Sequence, residues 1–190
     1  SLTEEVTSEQ ALVGPGAIAL IIDDSLSMNA SAHGGNETLL ERAVSEARAR
    51  VSQGGPRTSF AVITGGHPAR VLTTDVTYDR QAIARALSEV TPGPRGGDMA
   101  QALREAERIL AETGQSSRQV IVIGDQAAHA WGAIDAPWAL NDPPSVELVN
   151  VRKRAPLANL SVTGVDVHPA PELGPGHVRL SATVVNHSTD

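Results

Sequence analysis

The apolar positions of the chain fall into two kinds of pattern. Residues 17–22 and 120–123 are continuous apolar runs, typical of strands that are covered on both faces of a sheet. Apolar residues also recur at three-to-four spacing, which predicts amphipathic helices over 39–51, 80–89 and 98–112. Since runs of the first kind are separated by segments of the second kind, we expect a parallel sheet with helices between its strands.

Three further segments complete the predicted sheet. Residues 59–63 and 70–73 are separated only by a turn with glycine and proline, so we expect an antiparallel hairpin at one edge. Residues 146–151 predict a further strand. The predicted fold class is therefore α/β, with a Rossmann-like doubly wound, mostly parallel sheet and helices on both faces, over residues 1–152.

The pattern changes after Asn159. Apolar and polar residues alternate on either side of a proline-rich turn, which predicts two β-strands and no helix. We interpret residues 153–190 as a linker followed by these strands, the start of a truncated Ig-like β-sandwich. Because two strands cannot bury a core alone, the alternatives are packing on the α/β domain or strand pairing between chains.

Composition narrows the range of functions. The chain has 15 basic and 22 acidic residues, a net charge of −7, and one lysine, so nucleic acid is not an expected partner. The cluster Arg152-Lys153-Arg154 is interpreted as a solvated linker. The absence of cysteine excludes thiol catalysis and thiolate metal sites, and the longest apolar stretch is too short to span a bilayer. The first residue is Ser1, which suggests an excised fragment.

Polar side chains follow two of the predicted strands. Asp23, Ser25 and Ser27 alternate directly after the first strand, and Asp125 follows the strand at 120–123. In open α/β sheets the carboxyl ends of the strands are where ligands bind. Carboxylate and hydroxyl oxygens suit Mg²⁺, Mn²⁺ or Ca²⁺, so we expect a divalent-cation site at this edge.

The Asp-x-Ser-x-Ser sequence from Asp23 to Ser27, after its strand, resembles the metal-ion-dependent adhesion site of von Willebrand factor A domains. Residues 96–103 resemble the second loop of that site, and 122–126 followed by Trp131 resemble the third. The chain is most similar to BatA-type bacterial proteins, in which such a domain is attached to transmembrane helices. The resemblance covers about residues 15–150.

The resemblance implies a function and roles for the residues. Ser25 and Ser27 would ligate the metal directly, Asp23 and Asp125 would act through bound waters, and an acidic residue of a partner protein would complete the coordination. The implied function is metal-dependent protein binding, without catalysis or a small-molecule substrate. The parent would be a membrane-anchored bacterial protein, with the domain expected on the extracytoplasmic side.

One position departs from the family pattern. The family usually has a threonine hydroxyl immediately before the helix of the second loop, where this chain has Gly97. Asp98 would either replace that ligand or serve only as the helix N-cap, with Gln101 three residues later. Asp24 has no assigned role and is expected to face solvent in the turn.

Other candidate residues receive structural interpretations. The histidines near the predicted loops lack metal-ligand spacing and are expected on the surface: His33, His67 and His129. Trp131 and Trp138 either plug the edge of the domain or form a platform for a partner, and plugging is favoured.

Two further functions compete with metal-dependent adhesion. Gly97 motivates a structural spacer whose metal site has degenerated. The paired acids Asp23 and Asp24 with Asp125 resemble a Mg²⁺-dependent receiver domain, but that family needs a lysine in the site and Lys153 lies beyond the last predicted strand. A hydrolase is disfavoured because no Gly-x-Ser-x-Gly elbow is present and no histidine is tied to Ser25.

Overall fold

The computed structural model describes residues 16–31, 36–93, 96–125, 142–152, 160–169 and 178–186. The chain divides into two compact units, Ser1–Lys153 and Arg154–Asp190. The first unit contains the α/β elements and the second contains two strands.

The first unit alternates strands and helices in chain order. Its strands are β1 (Gly16–Ile22), β2 (Thr58–Thr64), β3 (Arg70–Val71), β4 (Arg118–Gly124) and β5 (Ser145–Asn150). Its helices are α1 (Leu39–Gln53), α2 (Arg80–Ser88) and α3 (Met99–Ala111), and a 3₁₀ turn spans Leu26–Asn29. All of the strands and helices predicted for this unit are present.

These strands form one sheet in the order β3-β2-β1-β4-β5. The pairs β1–β2, β1–β4 and β4–β5 are parallel, and β3 pairs antiparallel with β2 at the edge. The predicted fold class and the predicted edge hairpin are therefore confirmed. Since β1 is central and parallel to both neighbours, the carboxyl ends of β1, β2 and β4 lie at one edge of the sheet.

The core has two layers, one on each face of the sheet. Alternate residues of β1 point to opposite faces, as the pleat of a strand requires. Ile18, Leu20 and Ile22 pack with α1 and α2, whereas Ala17, Ala19 and Ile21 pack with α3. The small alanines of β1 leave room for α3 to lie close to the sheet, and the larger residues fill the other face.

The helix starts are fixed by side-chain caps. Thr38 and Glu41 form a reciprocal capping box at α1, in which each side chain accepts from the other residue's backbone N–H. Asp79 caps α2, and its side chain accepts from the N–H groups of Gln81 and Ala82. These caps satisfy backbone donors that the first helical turn leaves unpaired.

The second unit is an antiparallel hairpin of β6 (Leu160–Pro169) and β7 (Val178–Asn186), with a register shift between Val162 and Gly164. The two predicted strands are thus present. Over the part of the chain that the structure describes, no helix is long and apolar enough to cross a membrane.

Candidate metal centre

Asp23 and Asp125 lie at the ends of neighbouring parallel strands. Ile22 pairs with Ile123 in the register of β1 and β4, and the Asp23 amide donates to the Ile123 carbonyl at 2.9 Å. Both carboxylates are buried, with 1% of Asp23 and 5% of Asp125 exposed. The sheet topology therefore brings together the two acidic residues predicted from the strand ends.

Gly124 permits this close approach. A Cβ atom at position 124 would lie 2.6 Å from Cβ of Asp23 and 2.9 Å from its Oδ2, which is closer than Cβ atoms pack in proteins. Any side chain at this position would push Asp23 away. The glycine before Asp125 is therefore required by the packing of the Asp23 side chain.

The loop after β1 directs two hydroxyls to one point. Oδ1 of Asp23 accepts from the Ser25 amide at 2.9 Å, which closes a tight turn. The Oγ atoms of Ser25 and Ser27 are 3.1 Å apart. Met28 is fully buried and anchors the loop, whereas Leu26 between the two serines is 59% exposed.

This donor set fits an oxygen-preferring cation. Mg²⁺ binds octahedrally at about 2.1 Å, so two adjacent ligand oxygens are about 3 Å apart. The Ser25–Ser27 hydroxyl separation matches that spacing. Among the described residues, no three acidic or histidine side chains form a metal-holding group. A cation here would therefore depend on the serine hydroxyls as well as on Asp23 and Asp125.

Asp98 caps α3, as one of its two predicted roles requires. Its Oδ1 accepts from the Gln101 amide at 3.0 Å, and its Oδ2 lies 3.3 Å from Nδ1 of the exposed His67. The Gln101 side chain accepts from the Ala69 amide instead of completing a capping box. The predicted metal-ligating role of Asp98 stays a prediction.

The backbone of Gly97, where the family has threonine, pairs with Gly66.

The prediction that Asp24 faces solvent is wrong. Asp24 is 3% exposed, because Gly66 covers it so closely that a Cβ at position 66 would lie 2.6 Å from its Oδ1. Its Oδ2 forms an ion pair with Arg70 at 3.5 Å. Burial raises the pKa of the Asp24 carboxyl, and backbone hydrogen bonding by Gly66 and the charge of Arg70 oppose that rise.

Arg152 is a residue of this site that sequence reasoning missed. Its Nη2 donates to Oδ2 of Asp125 at 3.1 Å, so the interpretation of Arg152 as solvated linker is wrong. The available signal was its place just beyond β5, which runs parallel to β4 and ends at the same sheet edge. Lys153 and Arg154 lie outside the described residues, as do His33, His129, Trp131 and Trp138.

A family model for the von Willebrand factor type A domain matches residues 18–128. The chain belongs to the von Willebrand factor type A family. This match runs from within β1 to beyond β4 and includes the predicted metal-site residues from Asp23 to Asp125. No curated protein sequence matches the chain significantly.

Solved structures of von Willebrand factor type A proteins and their relatives agree with this fold. BatB from Bacteroides thetaiotaomicron is 19% identical, with a TM-score of 0.61 over 90% of this chain and 80% of that protein. An aerotolerance-related membrane protein from Bacteroides fragilis is 18% identical, with a TM-score of 0.59 over 87% and 81%. The predicted similarity to BatA-type proteins is confirmed by these two structures.

A pilus protein also shares the von Willebrand factor type A fold. The type V pili tip protein Mfa5 from Porphyromonas gingivalis is 23% identical, with a TM-score of 0.50 over 58% of this chain. This chain spans only 20% of that structure. At this level of identity the likeness extends to the fold alone.

Proposed function

We propose that this von Willebrand factor type A domain binds a divalent cation, Mg²⁺ or Mn²⁺, and uses it to bind an acidic residue of a partner protein, without turnover. Ser25 and Ser27 ligate the cation directly, and Asp23 and Asp125 act through bound waters. Asp98 acts as the helix cap. The proposal rests on the 3.1 Å separation of the two serine hydroxyls beside two buried carboxylates.

Charge supports a cation at this position. Asp23 and Asp125 bring two negative charges to one buried edge of the sheet, where Arg152 supplies one positive charge at Asp125. A divalent cation held by neutral hydroxyls keeps more of its positive charge than one held by carboxylates directly. It is therefore able to attract one further carboxylate, which a partner protein supplies.

The surface around the site also suits a protein partner. Leu26 lies between the two serines of the loop and is largely exposed. Protein interfaces combine apolar contacts with directed polar ones, and an exposed apolar side chain beside a charged site offers both. We propose that Leu26 contacts the partner next to the metal.

The parent protein is proposed to be a membrane-anchored bacterial protein with this domain on the extracytoplasmic side. The support is the similarity to BatB and to the aerotolerance-related membrane protein. Gly97 favours a second candidate, a structural spacer with a degenerate metal site, because glycine supplies no hydroxyl where the family has threonine.

Calorimetric titration with Mg²⁺ and Mn²⁺ separates the two candidates. We expect binding by the wild-type chain, and a loss of at least about tenfold in affinity in S27A, which removes one direct ligand. Ser52→Ala, which removes a hydroxyl from the far end of α1, is the matched control. If the wild type binds neither cation and D23N gives the same calorimetric result, the structural spacer is supported.

A second titration tests recognition of a carboxylate. A short peptide with one glutamate and its glutamine counterpart are added to the Mg²⁺-saturated chain, and amide NMR shifts are followed. We expect the glutamate peptide alone to shift the amides of residues 25–28, and only when Mg²⁺ is present. Equal shifts with both peptides would contradict a site that a partner carboxylate completes.

A further inference from the structure

The guanidinium of Arg152 already places a positive charge on the candidate metal centre. Its Nη2 lies 3.1 Å from Oδ2 of Asp125, whose side chain has no exposed surface, while the Arg152 side chain is 34% exposed. A hydrogen bond between charged groups that is shielded from solvent on one side is among the stronger kinds in proteins. Arg152 and a metal therefore act on the same buried carboxylate.

The backbone around Arg152 is held from three directions. The Val151 amide donates to the carbonyl of Gly124, and the Arg152 amide donates to the Asn150 side chain at 2.9 Å. Arg42 of α1 donates to the Val151 carbonyl at 3.3 Å. Val151 itself is buried in the core. Contacts with the ends of β4 and β5 and with α1 therefore position Arg152 beside Asp125. An arginine on a loose surface segment would lack these backbone contacts.

Two cations at one carboxylate repel each other. The interaction of charges a few ångströms apart near a protein surface is substantial, since the effective dielectric constant there is well below that of water. A divalent cation that approaches Asp23 and Asp125 meets the charge of Arg152, and the water-mediated contact to Asp125 competes with the guanidinium. Arg152 therefore lowers the affinity of the site for its metal.

We infer that Arg152 is a built-in counter-cation of the metal centre, which a divalent cation displaces from Asp125 when it binds. This inference rests on the proposed metal-binding function. In the metal-free state Arg152 neutralises Asp125, so the site stays folded without a metal. In the metal-bound state the guanidinium is released from Asp125. Arg152 lies directly before Lys153, the last residue of the first unit.

Arg152→Gln tests the inference by metal affinity. The glutamine keeps a polar side chain but removes the charge, so we expect Mg²⁺ and Mn²⁺ to bind about tenfold more tightly in calorimetric titration. Arg152→Lys keeps the charge and is expected to stay within about threefold of the wild type. Arg118→Gln removes an arginine that pairs with Asp142 at the opposite end of β4, and it controls for the loss of one positive charge.

The outcomes separate this inference from the proposed function. Tighter binding in R152Q but not in R118Q supports both. Metal binding of equal strength in wild type and R152Q overturns the counter-cation alone. The absence of binding in wild type and in folded R152Q overturns both, whereas binding that becomes measurable only in R152Q supports the counter-cation most directly.

Hydrogen–deuterium exchange on the wild-type chain provides a test that does not depend on the folding of a variant. Ligand binding generally slows exchange near a site, and Mg²⁺ is expected to do so at residues 23–28. The guanidinium N–H groups of Arg152, followed by NMR, are expected to exchange faster with Mg²⁺ than without it, because they lose the hydrogen bond to Asp125 and become exposed to solvent. Slower or unchanged exchange at these guanidinium groups would overturn the displacement.

Discussion

At the scale of single residues, the site depends on how closely two strand ends approach. Gly124 allows Asp23 to lie against the backbone of β4, and Gly66 similarly covers Asp24. In both cases the glycine is needed for space. The same close packing keeps three carboxylates, Asp23, Asp24 and Asp125, out of solvent within one edge of the sheet.

Gly124→Ala is expected to destabilise the fold. The added methyl would lie 2.6 Å from Cβ of Asp23, and overpacking of this kind costs about 1–3 kcal/mol. Chemical denaturation in the presence of a metal chelator measures the free energy of unfolding. Gly55→Ala is the matched control, since its nearest neighbour is Oγ1 of Thr58 at 3.9 Å. Equal stability of the two variants would contradict the packing role of Gly124.

Asp24→Asn is expected to change how stability depends on pH. Burial raises the pKa of Asp24, so the folded state favours its protonated form. The resulting stabilisation is complete below the unfolded pKa of about 3.9 and is lost as pH rises through the folded pKa. The wild type should therefore lose stability relative to D24N as pH rises from about 3 to 7.

Urea denaturation of both proteins at several pH values, without metal, measures this difference. Asp75→Asn, at an exposed position, corrects for the general effect of removing one negative charge. A constant difference between wild type and D24N, or one that grows in favour of the wild type with rising pH, would contradict a raised pKa. The first result would also mean that backbone hydrogen bonding by Gly66 and the charge of Arg70 compensate the burial fully.

The sequence predicts those site residues whose positions are set by the strand they follow, and it does not predict those whose positions are set by tertiary packing. Asp23 and Asp125 are predictable because each directly follows an apolar strand, and parallel strands end at one edge. Asp24 is not, because its burial comes from Gly66, which is distant in sequence and approaches it only in three dimensions. Arg152 lies in a basic cluster whose sequence is typical of a linker. Its side chain reaches Asp125 only because β5 is parallel to β4 and ends at the same edge of the sheet.

At the scale of secondary-structure elements, local patterns explain most of the fold. The three helices follow the spacing of apolar residues, and their starts follow Thr38, Asp79 and Asp98, whose side chains cap them. The order of the strands is less local, since β1 lies between β2 and β4. That order follows from crossover connections through helices, which the alternation of patterns predicts only as a class of fold.

Asp98 connects an element to the site, and two substitutions separate its roles. Asn is as good an N-cap as Asp, so D98N is expected to keep the stability of α3, whereas D98A should lose about 1 kcal/mol. If Asp98 acts as a cap without ligating metal, the Mg²⁺ affinity of D98N stays within about twofold of wild type. Denaturation and calorimetry measure the two effects.

The control for Asp98 is the cap of another helix. Asp79→Ala removes the N-cap of α2 and should lower stability by a similar amount without any change in metal affinity. A loss of metal affinity in D98N with its stability intact would show that the Asp98 carboxylate ligates the cation. The Asp98 carboxylate would then take the place of the threonine hydroxyl that is missing at Gly97, and the site would contain a third acidic residue.

At the scale of the whole molecule, the two units differ in how they are built. The first unit has a five-stranded sheet with an apolar cluster on each face, and one of these clusters includes Val151 just before the unit's end. The second unit contains one hairpin. An isolated two-stranded hairpin is marginally stable in water at best.

Truncation after Lys153 tests whether the first unit is complete on its own. Because the first unit contains the complete five-stranded sheet, we expect residues 1–153 to unfold cooperatively, with a midpoint within about 5 °C of the full chain. About 1 kcal/mol corresponds to 2–4 °C at this size. Residues 154–190 alone are expected to show no cooperative transition by circular dichroism. A fall of more than about 10 °C would mean that residues 154–190 contribute several kcal/mol to the stability of the α/β unit. The chain would then unfold as one cooperative unit despite the boundary predicted between residues 152 and 153. Since Arg152 is retained in the truncated chain, comparison of its Mg²⁺ affinity with that of the full chain shows in addition whether the residues beyond the junction influence the contact between Arg152 and Asp125.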